Sequence, residues 1–144
     1  MAEPGYLLDV NTVFALLEEE HVHHGPAMRW FESTRPQKWG LCSLTENGFL
    51  RLACNPKVGA HTVEEAIAVL EALTAYPGFC FWPIADRWIT LTMPFAGRIF
   101  GHQQITDACL LGLAVKEKAI FVTFDKAIGF MAGTEFSQHV LLLE

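Results

Sequence analysis

The sequence predicts a single α/β domain built on a mainly parallel sheet, and three observations lead to that fold class. Short apolar segments of strand character alternate along the chain with amphipathic segments of helical periodicity. The 144 residues contain no repeat, linker or low-complexity segment, and that length suits one domain. The hydrophobic fraction of 51% fits strands that are covered by helices on both faces. We therefore expect residues 1–144 to form one domain.

The first strand and two helices begin the chain. Tyr6 to Asp9 is an apolar segment of strand length, and Asn11 can cap a helix that continues to the acidic run at residues 18–20. Pro26 suits the first turn of a second helix, which we expect to end before Arg35.

The middle of the chain predicts two further strands and two helices with capping boxes. Trp39 to Cys42 is the second strand, and the pattern at Ser43–Glu46 opens a helix that Asn55-Pro56 ends. The pattern at Thr62–Glu65 opens another amphipathic helix, and Phe79 to Trp82 is the third strand.

The last third of the chain predicts two strands and a helix that is either deeply buried or part of a subunit interface. Residues 86–100 are apolar but interrupted by a proline and a glycine, which predicts two short helical pieces. Thr106-Asp107 begins a helix that is apolar around much of its circumference. Strands are expected at Ala119 to Thr123 and at Val140 to Leu143.

Composition indicates a cytoplasmic protein without membrane contact. Apolar runs such as Ala108 to Val115 fall well short of the roughly 20 residues that a spanning helix needs. Met1 to Tyr6 lacks the basic region and apolar core of a signal peptide, so we expect no export. The four cysteines stand singly in apolar segments without a C-x-x-C pair, which predicts buried free thiols in a reducing compartment.

Four acidic residues are expected at the carboxyl edge of the sheet. Asp9 follows the first strand, Glu46 lies in the first helical turn after the second, and Asp125 follows the fourth. Asp107 begins the helix that leads into the fourth strand, and a right-handed crossover returns the start of that helix to the same edge. Ligands of open parallel sheets bind there. Three of the chain's four aspartates occupy these positions, which favours a shared site.

Carboxylates gathered at one edge predict a divalent metal ion. Two of them about 6 Å apart repel by roughly 3 kcal/mol at an effective dielectric constant of about 20, so four together need a cation or become partly protonated. Oxygen ligands suit Mg²⁺ or Mn²⁺, which can polarise a phosphodiester and activate a water. Each acid also has an ordinary structural explanation, as a strand end, a capping-box partner, a helix-dipole residue or a turn residue. Their joint occurrence favours function.

The segments around these acids resemble the PIN-domain family, and most of all its VapC-type ribonuclease toxins from bacterial toxin–antitoxin modules. They occur in the right order over nearly the whole chain, as Leu-Leu-Asp-Val-Asn at 7–11, Thr-Glu-Asn-Gly-Phe at 45–49, Thr-Asp-Ala at 106–108 and Val-Thr-Phe-Asp at 122–125. The resemblance implies an α/β/α sandwich with a five-stranded parallel sheet. It also implies an endoribonuclease that depends on Mg²⁺ or Mn²⁺.

Residue by residue, the resemblance implies a catalytic and metal-binding set with two supporting residues and two protein partners. The set consists of Asp9, Glu46, Asp107 and Asp125, and the hydrogen-bonding support comes from Asn11 and Thr123. RNA is the implied substrate. A cognate antitoxin whose C-terminal segment covers the site is the implied partner, and a homodimer the implied assembly.

The charge balance is unfavourable for RNA binding. The net charge is −6, so only a locally basic rim would attract phosphates. Arg51 and Lys126 are among the basic residues nearest the predicted edge, and His102 precedes Asp107. These three are candidate substrate contacts, although each also fits an ordinary surface position.

Three other functions stay open at this point. A phosphatase of the haloacid-dehalogenase type also begins with an apolar strand and an aspartate, but it needs a second aspartate where Asn11 stands. A non-catalytic PIN-like binding module fits the fold, although such modules tend to lose acids. An RNA-processing nuclease that is not a toxin fits the same chemistry.

Overall fold

A five-stranded parallel sheet forms the centre of the protein in the computed structural model, which describes residues 3–144. The strands are β1 (Tyr6–Leu8), β2 (Trp39–Leu41), β3 (Phe79–Phe81), β4 (Ile120–Thr123) and β5 (Val140–Leu142). Their order is β3-β2-β1-β4-β5, and every pairing is parallel. The predicted fold class is confirmed.

Helices cover both faces of the sheet. They are α1 (Val10–Leu17), α2 (His24–Thr34), α3 (Ser43–Ala53), α4 (Val63–Thr74), α5 (Trp88–Thr92), α6 (Ile105–Lys116) and α7 (Lys126–Ala132). Successive residues of a strand point to opposite faces. Leu8 accordingly packs into one core with α1 to α4, and Leu7 packs into a second core with α6 and α7. The result is a three-layer α/β/α sandwich.

Three predictions concern the surroundings of the chain: the absence of a membrane-spanning helix, the absence of export, and the free thiols. A helix with the length and apolar content needed to cross a bilayer is absent from residues 3–144. Met1 and Ala2, where the segment behind the no-export prediction begins, lie outside the described residues. All four cysteines are free thiols as predicted. Cys42 and Cys109 are buried, but Cys54 and Cys80 are only half-buried, so the prediction of burial is wrong for these two.

The two predicted N-caps at the edge of the sheet are wrong. Asp9, rather than Asn11, caps α1, because its Oδ1 accepts a hydrogen bond from the Val10 N–H at 2.7 Å. Ser43 is already the first helical residue of α3, whose N-cap is Cys42, so the predicted capping box with Glu46 does not form. The capping box at Thr62–Glu65 is present as predicted. The side chain of Glu46 is therefore not committed to a helix cap.

Helix α7 is the element that the predictions lack. Asp125 caps it by accepting a hydrogen bond from the Ala127 N–H at 2.9 Å. The helix packs Ile128, Met131 and Ala132 into the core. In residues 86–100 the two predicted helical pieces are present, as α5 and the 3₁₀ turn Met93–Arg98. Helix α1 ends at Leu17, before the acidic run that was expected to end it.

Close backbone contacts at two glycines position the edge that carries the acids. A Cβ on Gly40 would lie 1.6 Å from the Cys80 carbonyl oxygen, so β2 and β3 approach as they do only with glycine there. A Cβ on Gly48 would lie 2.6 Å from Cγ2 of Val10. Gly48 thus lets α3 pack against the first residue of α1, next to Asp9.

Candidate active site

The carboxyl ends of β1 and β4 bring three of the predicted aspartates into one site. β1 and β4 are neighbours, with Leu8 opposite Val122, so Asp9 and Asp125 leave the sheet at the same edge. Asp107 joins them from the first turn of α6. Their negative charges act on each other, since those of Asp107 and Asp125 both raise the pKa of Asp9.

Asp9 is the most deeply buried of these acids, and both of its carboxylate oxygens accept hydrogen bonds. Its side chain is 4% exposed. Oδ1 accepts from the Val10 N–H, and Oδ2 accepts from Oγ1 of Thr123 at 2.7 Å. The Thr123 oxygen itself accepts from Nδ2 of Asn11 at 3.3 Å and from the Asp125 N–H at 3.0 Å. Its hydroxyl hydrogen is thereby left for Asp9.

The other polar groups of this network connect α1 to β4. Oδ1 of Asn11 accepts a hydrogen bond from the Phe124 N–H at 3.3 Å. Oγ1 of Thr12 donates to the Val122 carbonyl oxygen at 2.9 Å, within the buried interior. Two elements that are 110 residues apart in the chain are therefore held in register by side chains.

Burial raises the pKa of two of the aspartates, Asp9 and Asp107. It raises the pKa of Asp9 to about 7, with the charges of Asp107 and Asp125 adding to the rise. The hydrogen bonds from Thr123 and Val10 lower the pKa and only partly offset that effect. Burial, with the charge of Asp125, also raises the pKa of Asp107 to about 6. Near neutral pH the site therefore holds protons that a cation would displace.

Glu46 lies at the same edge on α3. Oγ1 of the adjacent Thr45 donates to the Leu8 carbonyl oxygen at 3.4 Å, which connects the first turn of α3 to the end of β1. Among residues 3–144, no three or more side chains of His, Cys, Asp or Glu are grouped closely enough to hold a metal ion. The four acids are thus not assembled as a ready-made cage.

The available donors nevertheless suit Mg²⁺ or Mn²⁺. Every candidate ligand is a carboxylate oxygen, which is the donor type that hard cations prefer. Mg²⁺ keeps several of its waters and is held directly by one or two carboxylates, so acids spaced more widely than direct ligands fit its coordination. The buried Asp9 and the two half-buried aspartates that repel it also gain most from a nearby positive charge.

The three candidate substrate contacts are all exposed and lie on three different elements. Arg51 lines a shallow depression on α3 together with Val10 and Gly48. His102 begins the 3₁₀ turn His102–Gln104 that precedes α6. Lys126 is the first residue of α7, directly after Asp125.

Two exposed aromatic residues that lie close in the chain to Asp107 and Asp125 are absent from the predicted set. Phe100 and Phe130 are each 63% exposed, and Phe130 lies on the unpredicted α7. A signal was present in the sequence, since Ile128, Met131 and Ala132 have the i, i+3, i+4 spacing of a buried helix face. That spacing would have placed Phe130 and Lys126 away from the core.

Comparison with known proteins gives a consistent family. The chain matches the family model described as PIN domain over residues 6–132. It is 40% identical over 128 residues to Ribonuclease VapC38 of Mycobacterium tuberculosis (strain ATCC 25618 / H37Rv), covering 88% of this chain and 89% of that protein. It is 36% identical over 124 residues to Ribonuclease VapC39 of the same strain, covering 85% and 89%.

Solved structures are similar in fold. One is the crystal structure of Mycobacterium tuberculosis VapC20, a sarcin-ricin loop cleaving toxin. Its TM-score is 0.65 at 16% sequence identity, and the match covers 86% of this chain and 92% of that one. VapBC2 from Rickettsia felis, bound to a DNA fragment from its promoter, has a TM-score of 0.68 at 12% identity over 97% and 99%. The family match and the identity to VapC relatives show that this chain belongs to the PIN-domain family, among its VapC-type members.

Proposed function

We propose that this protein is an endoribonuclease that cleaves RNA phosphodiester bonds with Mg²⁺ or Mn²⁺ and acts as the toxin of a toxin–antitoxin pair. The observation that carries the proposal is the meeting of Asp9, Asp107 and Asp125 at the carboxyl edge of the sheet. Identity of 40% to a protein named Ribonuclease VapC38 supports the same chemistry.

In this proposal Asp9, Asp107 and Asp125 hold the ion directly or through its waters, and Glu46 adds a fourth carboxylate from α3. The bound ion supplies a positive charge that polarises the phosphodiester and makes a water more acidic. Thr123 and Asn11 are positioning residues, because Thr123 donates to Asp9 and Asn11 donates to Thr123. Arg51, His102 and Lys126 are proposed RNA contacts from the exposed rim.

The proposed biological setting follows the family. A cognate antitoxin binds the protein and covers the acidic edge, and the similarity to the VapBC2 structure supports such a partner. We also infer a homodimer in the cytoplasm, with residues 1–144 as one PIN-like domain. These assignments extend the family relationship to this chain.

Cleavage by purified protein tests the activity. RNA incubated with the wild type should be cut when Mg²⁺ or Mn²⁺ is added and not when EDTA is added. The double variant Asp9→Asn/Asp107→Asn should lose about 100-fold or more, because two of the proposed ligands are gone. Asp86→Asn is the matched control, since Asp86 pairs with Lys116 at 2.9 Å outside the acidic group. Cleavage retained by the double variant would refute the proposal.

Two further measurements separate the alternative functions. A competent metal site is stabilised by its ion, so Mn²⁺ should raise the melting temperature of the wild type, and no rise is expected of a non-catalytic module that has lost its site. A processing nuclease would cut RNA without harming the cell. Growth arrest on expression, relieved by the product of an adjacent upstream reading frame, would identify a toxin.

A further inference from the structure

Two exposed phenylalanine rings meet where α7 contacts the segment that precedes α6. Phe100 and Phe130 are each 63% exposed, and their ring centroids lie 5.9 Å apart. Phe130 stands five residues after Asp125, and Phe100 precedes the turn that leads to Asp107. Paired aromatic rings that face solvent mark an interaction surface more often than isolated apolar residues do.

Polar contacts fix the backbone around Phe100 while its ring stays in solvent. Nε of Arg98 donates to the Met131 carbonyl oxygen at 2.7 Å, and Nη2 donates to that of Ala132 at 3.2 Å. On the other side, Oε1 of Gln104 accepts from the Phe100 N–H at 2.6 Å. The segment is thus attached to the end of α7, and the two rings are held together without being buried.

Positive charge accompanies the rings in a chain whose net charge is −6. Lys126 is exposed one helical turn before Phe130, so the two share a face of α7. The Arg98 guanidinium lies on the Phe100 segment but donates to the Met131 and Ala132 carbonyl oxygens. Lys126 is therefore the exposed cation that this face of α7 offers to a polyanion.

The glycines that flank the two rings have open space around them. A Cβ added to Gly97, Gly101 or Gly129 would meet no atom within 4 Å. Gly97 and Gly101 flank the Phe100 segment, and Gly129 precedes Phe130. No bulky side chain at these three positions obstructs a planar group that approaches the rings.

We propose that Phe100 and Phe130 stack a nucleobase of single-stranded RNA near the phosphate that is cleaved, with Lys126 facing a neighbouring phosphate. This inference rests on the proposed ribonuclease function. Aromatic faces combined with cations are the usual means of binding single strands, and each base offers a face to them. Five residues of helix rise only about 7.5 Å, so Phe130 lies within about one and a half turns of Asp125 along α7. A duplex keeps its bases stacked inside and offers no such face.

Binding of a fluorescent single-stranded RNA in EDTA tests the stacking, because cleavage is then prevented. The double variant Phe100→Leu/Phe130→Leu keeps apolar side chains without aromatic faces and should bind about 10-fold more weakly or worse. Phe81→Leu is the matched control, since Phe81 is also an exposed phenylalanine but lies on β3 at the edge of the sheet. Its affinity should stay at the wild-type value.

A second variant keeps the test independent of the rings. Gly129→Glu meets no atom of the fold and improves helix propensity, so the protein should fold. It places a carboxylate next to Phe130 and should weaken RNA binding, while Gly129→Ala should bind as the wild type does. Unchanged affinity in both the double phenylalanine variant and Gly129→Glu would overturn the proposal.

Two readouts separate this inference from the proposed function. Hydrolysis of bis(p-nitrophenyl) phosphate with Mn²⁺ needs the acidic site but no base, so the double variant should retain it. If the wild type binds RNA through the rings but hydrolyses neither substrate, the nuclease proposal fails and the stacking stands.

Sedimentation velocity should show the same assembly for wild type and double variant. Dissociation of a dimer would assign the rings to a subunit interface and overturn the inference, as would an equal loss of duplex binding.

Discussion

We expect Asp9→Asn to stabilise the metal-free protein at alkaline pH and to lose that advantage in acid. Burial is the main cause that raises the pKa of Asp9 from 3.8 to about 7. A carboxyl with a higher pKa in the folded chain takes up a proton on folding, so its contribution to stability is fully present below about pH 4 and is lost as the pH rises to 7. At 1.36 kcal/mol per pKa unit, about 3 units correspond to an upper value of about 4 kcal/mol.

The contacts of Asp9 reduce that gain. Asparagine is as good an N-cap as aspartate, so its Oδ1 can keep the hydrogen bond from Val10. Its Nδ2 would then face Oγ1 of Thr123, which already accepts from Asn11 and from the Asp125 N–H. One hydrogen bond is lost, at a cost of about 1–3 kcal/mol. The variant should therefore be more stable than the wild type by about 1–3 kcal/mol at pH 8 and equal or less stable at pH 4.5.

Urea denaturation in EDTA at pH 4.5, 6, 7 and 8 measures this difference directly. The free energy of unfolding of the wild type should fall relative to that of Asp9→Asn as the pH rises. Asp86→Asn, which removes a carboxylate outside the acidic group, should show no comparable trend. A stability difference between Asp9→Asn and the wild type that stays constant over this range would show that Asp9 titrates normally, and the reasoning from burial would be wrong.

Three other substitutions test the hydrogen-bond network and the packing. Thr123→Val removes the hydroxyl that donates to Asp9 at 2.7 Å, so it should lower the free energy of unfolding by about 1–3 kcal/mol in urea denaturation. It should also move the acid limb of the cleavage pH profile to higher pH, because the lost hydrogen bond lowered the pKa of Asp9. An unshifted profile would contradict that role. Gly40→Ala should destabilise by about 3 kcal/mol or more, because its Cβ would lie 1.6 Å from a backbone oxygen, whereas Gly129→Ala, with open space around it, should stabilise by about 0.5–1 kcal/mol. Equal melting temperatures for these two variants would refute the packing argument.

The sheet could be predicted because its strands are apolar on both faces. Leu7 and Leu8 are both buried, one in each core, and such a run of apolar residues marks a strand covered on both sides. Helix α7 could not be predicted with the same ease. It has seven residues and an exposed glycine at 129, so it depends on the packing of Ile128 and Met131 more than on local preference.

The caps at the acidic edge show a limit of local patterns. The sequence Ser43–Glu46 has the residues of a capping box, but the pattern does not determine the residue at which the helix begins. Cys42 has extended backbone angles and serves as the N-cap, so Ser43 lies one residue too far into α3. The hydrogen bond between Thr45 and the Leu8 carbonyl oxygen, made across two elements, connects that first turn to β1.

The location of the aspartates could be predicted because topology determines it, whereas the aromatic pair could not. Residues that follow parallel strands meet at one edge whatever the side-chain details are. Phe100 and Phe130 are 30 residues apart, and no local sequence pattern predicts that they contact each other. Their meeting depends on Arg98, whose guanidinium attaches one segment to carbonyl groups at the end of α7.

Thr123 makes the ionisation of Asp9 and the position of Asp125 interdependent. Its single hydroxyl donates to the carboxylate of Asp9 and accepts from the backbone of Asp125, so a shift of either acid strains the contact with the other. Both oxygens of Asp9 accept hydrogen bonds, which orients it as an anion, while its burial favours the neutral acid. A cation would satisfy both conditions, because it would offset the desolvation of the carboxylate without replacing its donors. In the proposed function, the electrostatic penalty that destabilises the metal-free fold would be the same energy that favours binding of the ion.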